Sequence, residues 1–136
     1  MFGTVPVTYD DIVILSEIVI AQSSDPQEDD KVGVLNKDNI RNCCDLLTNY
    51  FYDDEQVQGL VNKAAELLDC IVRSHGLISA NKRTSIAAVN LFLHRNGWIY
   101  RPDNKTVSMT MRSAKKEVSI NELETWIRSC SIPKTL

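Results

Sequence analysis

Val57-Gln58-Gly59-Leu60-Val61-Asn62-Lys63-Ala64-Ala65-Glu66-Leu67-Leu68-Asp69-Cys70-Ile71-Val72-Arg73-Ser74 runs directly into His75-Gly76-Leu77-Ile78-Ser79-Ala80-Asn81-Lys82-Arg83-Thr84. In the first half Val57, Leu60, Val61, Ala64, Leu68 and Ile71 recur at i, i+3, i+4 spacing, and Ala65, Leu67 and Val72 widen the stripe. That period predicts an α-helix from Val57 to Ser74. Apolar residues over so much of its circumference put the helix at the centre of a core. It should end just before His75-Gly76, with a short loop and then a new helix opening at Asn81-Lys82-Arg83.

The flanks carry the same period. Upstream, Ile40, Cys43, Cys44 and Leu47 make one apolar side of a helix over Lys37–Thr48, entered from Gly33-Val34-Leu35-Asn36; Tyr50 to Asp54 breaks the pattern. Before it, Thr8 with Asp11 three residues on has the form of a capping box. Ile12, Leu15, Ile18 and Val19 then share a face, predicting a helix over Tyr9–Gln22. The run from Ser23 to Lys31 holds Asp25, Glu28, Asp29 and Asp30 and reads as a solvated acidic loop. Downstream, Thr84–Arg95 is helical, with Ile86, Ala87, Val89, Phe92 and Leu93 for packing and Asn96-Gly97 as a stop. Trp98–Tyr100 is β-prone, and Thr106–Met111 alternates polar with apolar. The two pieces suggest a small β-hairpin, with a helix as the alternative for one of them. Ser119 to Glu122 is a second capping box, followed by Leu123, Trp126 and Ile127 on one face. The expectation is a mainly α chain, a helical bundle of about five or six helices.

Composition bounds the function. A chain of 136 residues fits one domain over 1–136. With 43% hydrophobic and 24% charged residues it is an ordinary globular sequence. A net charge of −3 weighs against a dedicated nucleic-acid binder, though a few cations in a cleft still hold an anion. The four cysteines, Cys43, Cys44, Cys70 and Cys130, form no CxxC, and only His75 and His94 accompany them, so a zinc site is not expected. They read as reduced, partly buried thiols of a cytoplasmic protein. The apolar run Ile12–Ala21 is broken by Ser16 and Glu17, so neither a signal peptide nor a membrane span is expected.

The chemistry-bearing segment is His75–Thr84. A core helix delivers His75 at its C-terminal end. The next helix opens with Lys82 and Arg83, where unsatisfied backbone N–H groups and the helix dipole already favour anions. Arginine adds a fork that matches phosphate oxygens, and histidine is the side chain best suited to act as a base near neutral pH. A base beside a phosphate cradle points to transfer of a phosphate-containing group to a hydroxyl. A structural histidine beside a solvated helix terminus is the plainer alternative.

His75, Ala80, Asn81, Lys82, Arg83 and Thr84 stand in register with the pattern His-x-Phe-x-Asp-Ala-Asn-Lys-Arg-Thr. The chain resembles the Fic/Doc family, and within it the death-on-curing toxins of toxin–antitoxin modules. Lys82, where Fic proteins carry glycine, separates the two branches. Gly33-Val34-Leu35, Leu91 to Gly97, Val118-Ser119-Ile120 and the last helix are similar to the family too, so the resemblance covers about Tyr9 to Cys130. It implies that His75 is the general base and that Asn81 helps form an anion hole with backbone amides. It further implies that Lys82 and Arg83 hold nucleotide phosphates, with Arg73 in support. Death-on-curing proteins are kinases of elongation factor Tu, Fic proteins transfer AMP, and both use ATP with Mg2+. The second arginine of the AMP-transfer motif is replaced here by Ile86, which favours the kinase. A small antitoxin acting in trans is implied as partner. Neither Ser24–Glu28 nor Ser113–Glu117 continues into the inhibitory-helix pattern found in some Fic proteins.

Two positions depart from the pattern. Leu77 replaces the packing phenylalanine, a change of volume more than of role. Ser79 replaces the magnesium-binding acid, so no metal ligand is assigned in the loop; magnesium favours charged oxygens. Three readings follow: the metal is held by phosphates and water; Asp45, Asp53 or Asp54 substitutes; or the protein binds without catalysing. His94 is read as a helix-end residue.

Overall fold

In a computed structural model, residues 4–22, 31–48 and 59–134 are described. Within them lie six helices: α1 (Tyr9–Ala21), α2 (Lys37–Asp45), α3 (Leu60–Ser74), α4 (Asn81–Arg95), α5 (Thr106–Ala114) and α6 (Ile120–Ser129). Two short strands, β1 (Trp98–Tyr100) and β2 (Ser131–Pro133), complete the set. The acidic stretch at 23–30, and Asp53 and Asp54, fall outside the described residues.

Helix α3 is the axis around which the others pack. Val61, Ala64, Ala65, Leu67, Leu68, Ile71 and Val72 are all buried, and the helix touches α2, α4, α5 and α6. Large apolar side chains from the neighbours close the core: Ile12, Ile40, Phe92, Leu93, Leu123 and Ile127. Each such burial contributes roughly 1.5–3 kcal/mol. Lys63 is an exception inside this stripe. It is fully buried, donates to Thr4 Oγ1 at 3.0 Å, and burial pulls its ammonium down to about 8.

Both capping boxes form. Thr8 Oγ1 accepts from Asp11 N–H at the start of α1, and Ser119 Oγ accepts from Glu122 N–H at the start of α6. Asp11 does double duty, because Arg95 at the end of α4 donates to both its oxygens at 2.6 and 3.1 Å. The cap of the first helix is thereby locked to the last turn of the fourth.

Two expectations need correction. Thr106–Met111 is not the partner of Trp98–Tyr100. It opens α5, where Asp103 starts the turn: its backbone oxygen accepts from Thr106 N–H, and its carboxylate accepts from Lys105 N–H at 2.9 Å. Met109, Thr110 and Ser113 are then buried at helical spacing. The strand that pairs with β1 is β2, antiparallel, with Trp98 opposite Pro133 and Tyr100 opposite Ser131. The second correction concerns cysteine. Cys43 on α2 and Cys70 on α3 are joined in a disulfide, with Cα atoms 5.5 Å apart, so these two are not reduced thiols. Adjacent helical residues point about 100° apart, so Cys44 is left out of this bond; it and Cys130 are free.

Candidate functional site

Helix α3 ends on His75, whose backbone is left-handed at φ 52°, ψ 38°. A side chain with a Cβ adopts this conformation at a cost, so the neighbours must hold it. Ser74 Oγ accepts from Gly76 N–H at 3.3 Å, and Asn39 Nδ2 donates to the Ser74 carbonyl at 2.7 Å. The Gly76 carbonyl accepts from Leu35 and Asn36 N–H at 2.8 and 3.0 Å. Gly76 is compulsory here: a Cβ would lie 2.5 Å from Ile40 Cγ1 and 3.3 Å from the Asn36 carbonyl oxygen. His75 itself is exposed.

The loop that follows lies against residues 31–36 as a short antiparallel pair. Val34 bridges Leu77, Ile78 N–H donates to the Gly33 carbonyl at 3.0 Å, and Lys31 N–H donates to Ser79 Oγ at 3.1 Å. Leu77 is 2% exposed and fills the place that the sequence pattern gives to phenylalanine. Asn81 closes the loop from the other side, accepting from Leu77 N–H and donating to the Leu77 carbonyl, both at 3.1 Å. Its amide is engaged with the loop, so the donors presented at this point are main-chain ones.

Ala80 is also left-handed, at φ 66°, and begins α4 without a side-chain cap. The first N–H groups of a helix have no partner within it, and here Lys82 and Arg83 stand exposed on the same turn. From Cys70 to Pro102 the chain carries no Asp or Glu at all, in a protein of net charge −3. The loop thus leads into a helix start without a side-chain cap that carries two cationic side chains on its first turn, an arrangement suited to phosphate.

The other sequence-derived candidates sit as follows. Arg73 Nε pairs with Asp69 Oδ2 at 3.5 Å, one turn back along α3, while Asp69 Oδ1 accepts from Ser113 Oγ at 2.7 Å. Asp45 lies at the far end of α2, about 9 Å along the helix axis from Asn39 at 1.5 Å per residue. His94 is exposed, 2.8 Å from Lys134 Nζ through its Nδ1. Along α4 it is roughly 20 Å from Asn81. Ser113 is buried and belongs to the Asp69 contact rather than to any inhibitory helix. A concavity of about 530 Å³ opens elsewhere, over Met109 and Trp126, and no residue of the loop lines it.

Among the described residues, the loop offers no charged ligand for a magnesium ion. Residues 75–84 include no carboxylate, and Ser79 Oγ is a neutral acceptor already receiving Lys31 N–H. Among the described residues no group of three His, Cys, Asp or Glu could hold a metal. None of the described helices is long and apolar enough to cross a membrane.

The sequence reading missed Asn36, Asn39 and Ser74, the residues that hold the His75 turn. Their signal is weak, because an asparagine before and inside a helix start reads simply as a cap. Asn36 does cap α2, accepting from Asn39 N–H at 3.1 Å.

No family model matches the chain. Over 38 residues it is 53% identical to the protein named Toxin Doc of Mycolicibacterium smegmatis (strain ATCC 700084 / mc(2)155). That stretch covers 28% of this chain and 29% of the relative, so the match spans under a third of either protein. Part of this chain is therefore similar to a Doc toxin.

Proposed function

We propose that the protein is a death-on-curing-like toxin of a toxin–antitoxin module, transferring the γ-phosphate of ATP to a hydroxyl of a translation factor such as elongation factor Tu. The observation that carries this reading is the junction of α3 and α4. An exposed His75 at a fixed corner is followed, five loop residues later, by an uncapped helix start bearing Lys82 and Arg83. The partial likeness to a Doc toxin supports it. A small antitoxin acting in trans is the partner, and the cytoplasm the location, that this reading implies.

In the proposed reaction, the imidazole of His75 takes the proton of the acceptor hydroxyl. The hydroxyl oxygen forms a bond to the γ-phosphorus as the bond to the β,γ-bridging oxygen breaks, and ADP leaves. Lys82, Arg83 and the first N–H groups of α4 stabilise the charge on the phosphate oxygens, the main task in phosphoryl transfer. Asn81 acts by closing the loop on Leu77. Arg73 lies two residues before His75, and its exposed pair with Asp69 is worth little to hold.

The test is a transfer assay with purified protein, elongation factor Tu and ATP labelled at the γ- or the α-phosphate. Label from the γ-phosphate alone, lost in His75→Ala, is the expected result. Label from the α-phosphate assigns AMP transfer instead. A second reading is favoured by Ser79: a binding protein without catalysis. Label with Ser79→Asp but not with the native chain assigns that one.

A further inference from the structure

The turn that carries His75 is held from outside its own helix. The last four carbonyls of α3 have no intrahelical partner. Ser74's is the one that matters for the histidine, because it belongs to the Ser74–His75 peptide and so sets the plane from which the His75 side chain departs. That carbonyl receives Asn39 Nδ2 at 2.7 Å. Asn39 is in turn fixed by its own backbone, whose N–H donates to Asn36 Oδ1 at 3.1 Å. On the other side of His75, the Gly76 carbonyl is taken by Leu35 and Asn36 N–H. The Ser74–His75 peptide before a left-handed histidine and the Gly76–Leu77 peptide after it are therefore both gripped by the segment that opens α2.

We propose that Asn39 is a positioning residue for His75: its side-chain amide orients the Ser74–His75 peptide and thereby aims the imidazole. The role in catalysis rests on the function proposed above; the brace itself does not. Among the described residues Asn39 is the only side chain that donates to the Ser74 carbonyl. A misplacement of about 1 Å costs a general base on the order of 100-fold in rate, so a residue that sets this peptide acts on kcat. It has no reason to act on nucleotide affinity, which belongs to α4.

The test uses Asn39→Asp, which keeps the shape and loses the donor, and Cys70→Ser, which weakens the same α2–α3 contact one turn away without touching the carbonyl. In the variant at neutral pH, the Ser74 carbonyl 13C and His75 amide resonances should shift. At about pH 3, below the ordinary aspartate value, the introduced carboxyl is mostly protonated, regains a donor and should return them toward native positions. Cys70→Ser should leave them unmoved. In the transfer assay Asn39→Asp should lower kcat roughly tenfold or more with KM for ATP within about twofold. Native resonances in Asn39→Asp at neutral pH overturn the brace. Shifted resonances with unchanged kcat overturn the positioning role. Shifted resonances in a protein whose native form transfers no label sink the proposed function and leave the brace standing.

Discussion

Gly76 shows how a single residue type is dictated by a neighbour. Ile40 occupies the space a Cβ would need, so Gly76→Ala must push α2 away from the His75 turn. Overpacking of this kind costs about 1–3 kcal/mol, and thermal unfolding should show that loss together with increased hydrogen exchange at Leu35 and Asn36. Ser79 governs a different property. If magnesium gains no ligand from the protein, ATP titrated calorimetrically should bind no tighter with magnesium than with a chelator. Ser79→Asp should reverse this, with magnesium strengthening binding about tenfold; a native chain that needs magnesium to bind refutes the assignment. Asp11 gives a pH signature. Hydrogen bonds from Arg95, and after them from Thr8, hold its carboxyl down at about 2 from an ordinary 3.8. A depressed folded value means stability that is present above pH 3.8 and lost as pH falls toward 2. With solvent screening the amount is on the order of 1 kcal/mol. Acid unfolding of Asp11→Asn should lack that component. At this scale the sequence singles out His75, Lys82 and Arg83 by their type, and all three are exposed around one junction. It was a poor guide to Asn39 and Lys63, whose roles depend on what another segment brings against them.

Helices were legible where period and caps agree. Thr8 with Asp11 and Ser119 with Glu122 start helices where the pattern places them, and the apolar stripe of α3 is the buried axis. Thr106–Met111 was misleading because six residues are too few to separate a period of 2 from one of 3.6; the turn at Asp103, read only in space, decides for helix. The antiparallel course of α2 and α3 was equally hidden, and with it the Cys43–Cys70 bond. That bond closes a sequence separation of 27 residues. Cross-links of such span stabilise by roughly 2–4 kcal/mol. Cys70→Ser, or reduction of the native protein, should therefore lower the unfolding midpoint in a differential scanning experiment. A midpoint indifferent to reductant would show that the bond contributes nothing.

At the scale of the whole molecule, charge is segregated along the chain. The total of −3 conceals a stretch between Asp69 and Asp103 in which only cations occur, and that stretch contains the loop, α4 and β1. Nucleotide binding should accordingly weaken as salt is raised; affinity constant from 50 to 500 mM NaCl would argue against a phosphate cradle. The bundle architecture was legible from the number of periodic segments, whereas the strand pair was not, since its two halves are distant in sequence. The corner after α4 has one more effect. Asn96 bonds Val5 in both directions, at 2.7 and 2.8 Å, while the Gly97 carbonyl takes Lys134 N–H at 2.8 Å. Two segments from opposite extremes of the described chain thus grip adjacent residues, roughly 20 Å down α4 from the loop. Tension applied between residues 5 and 134 would be borne first by that corner, a helix length away from the turn that carries His75.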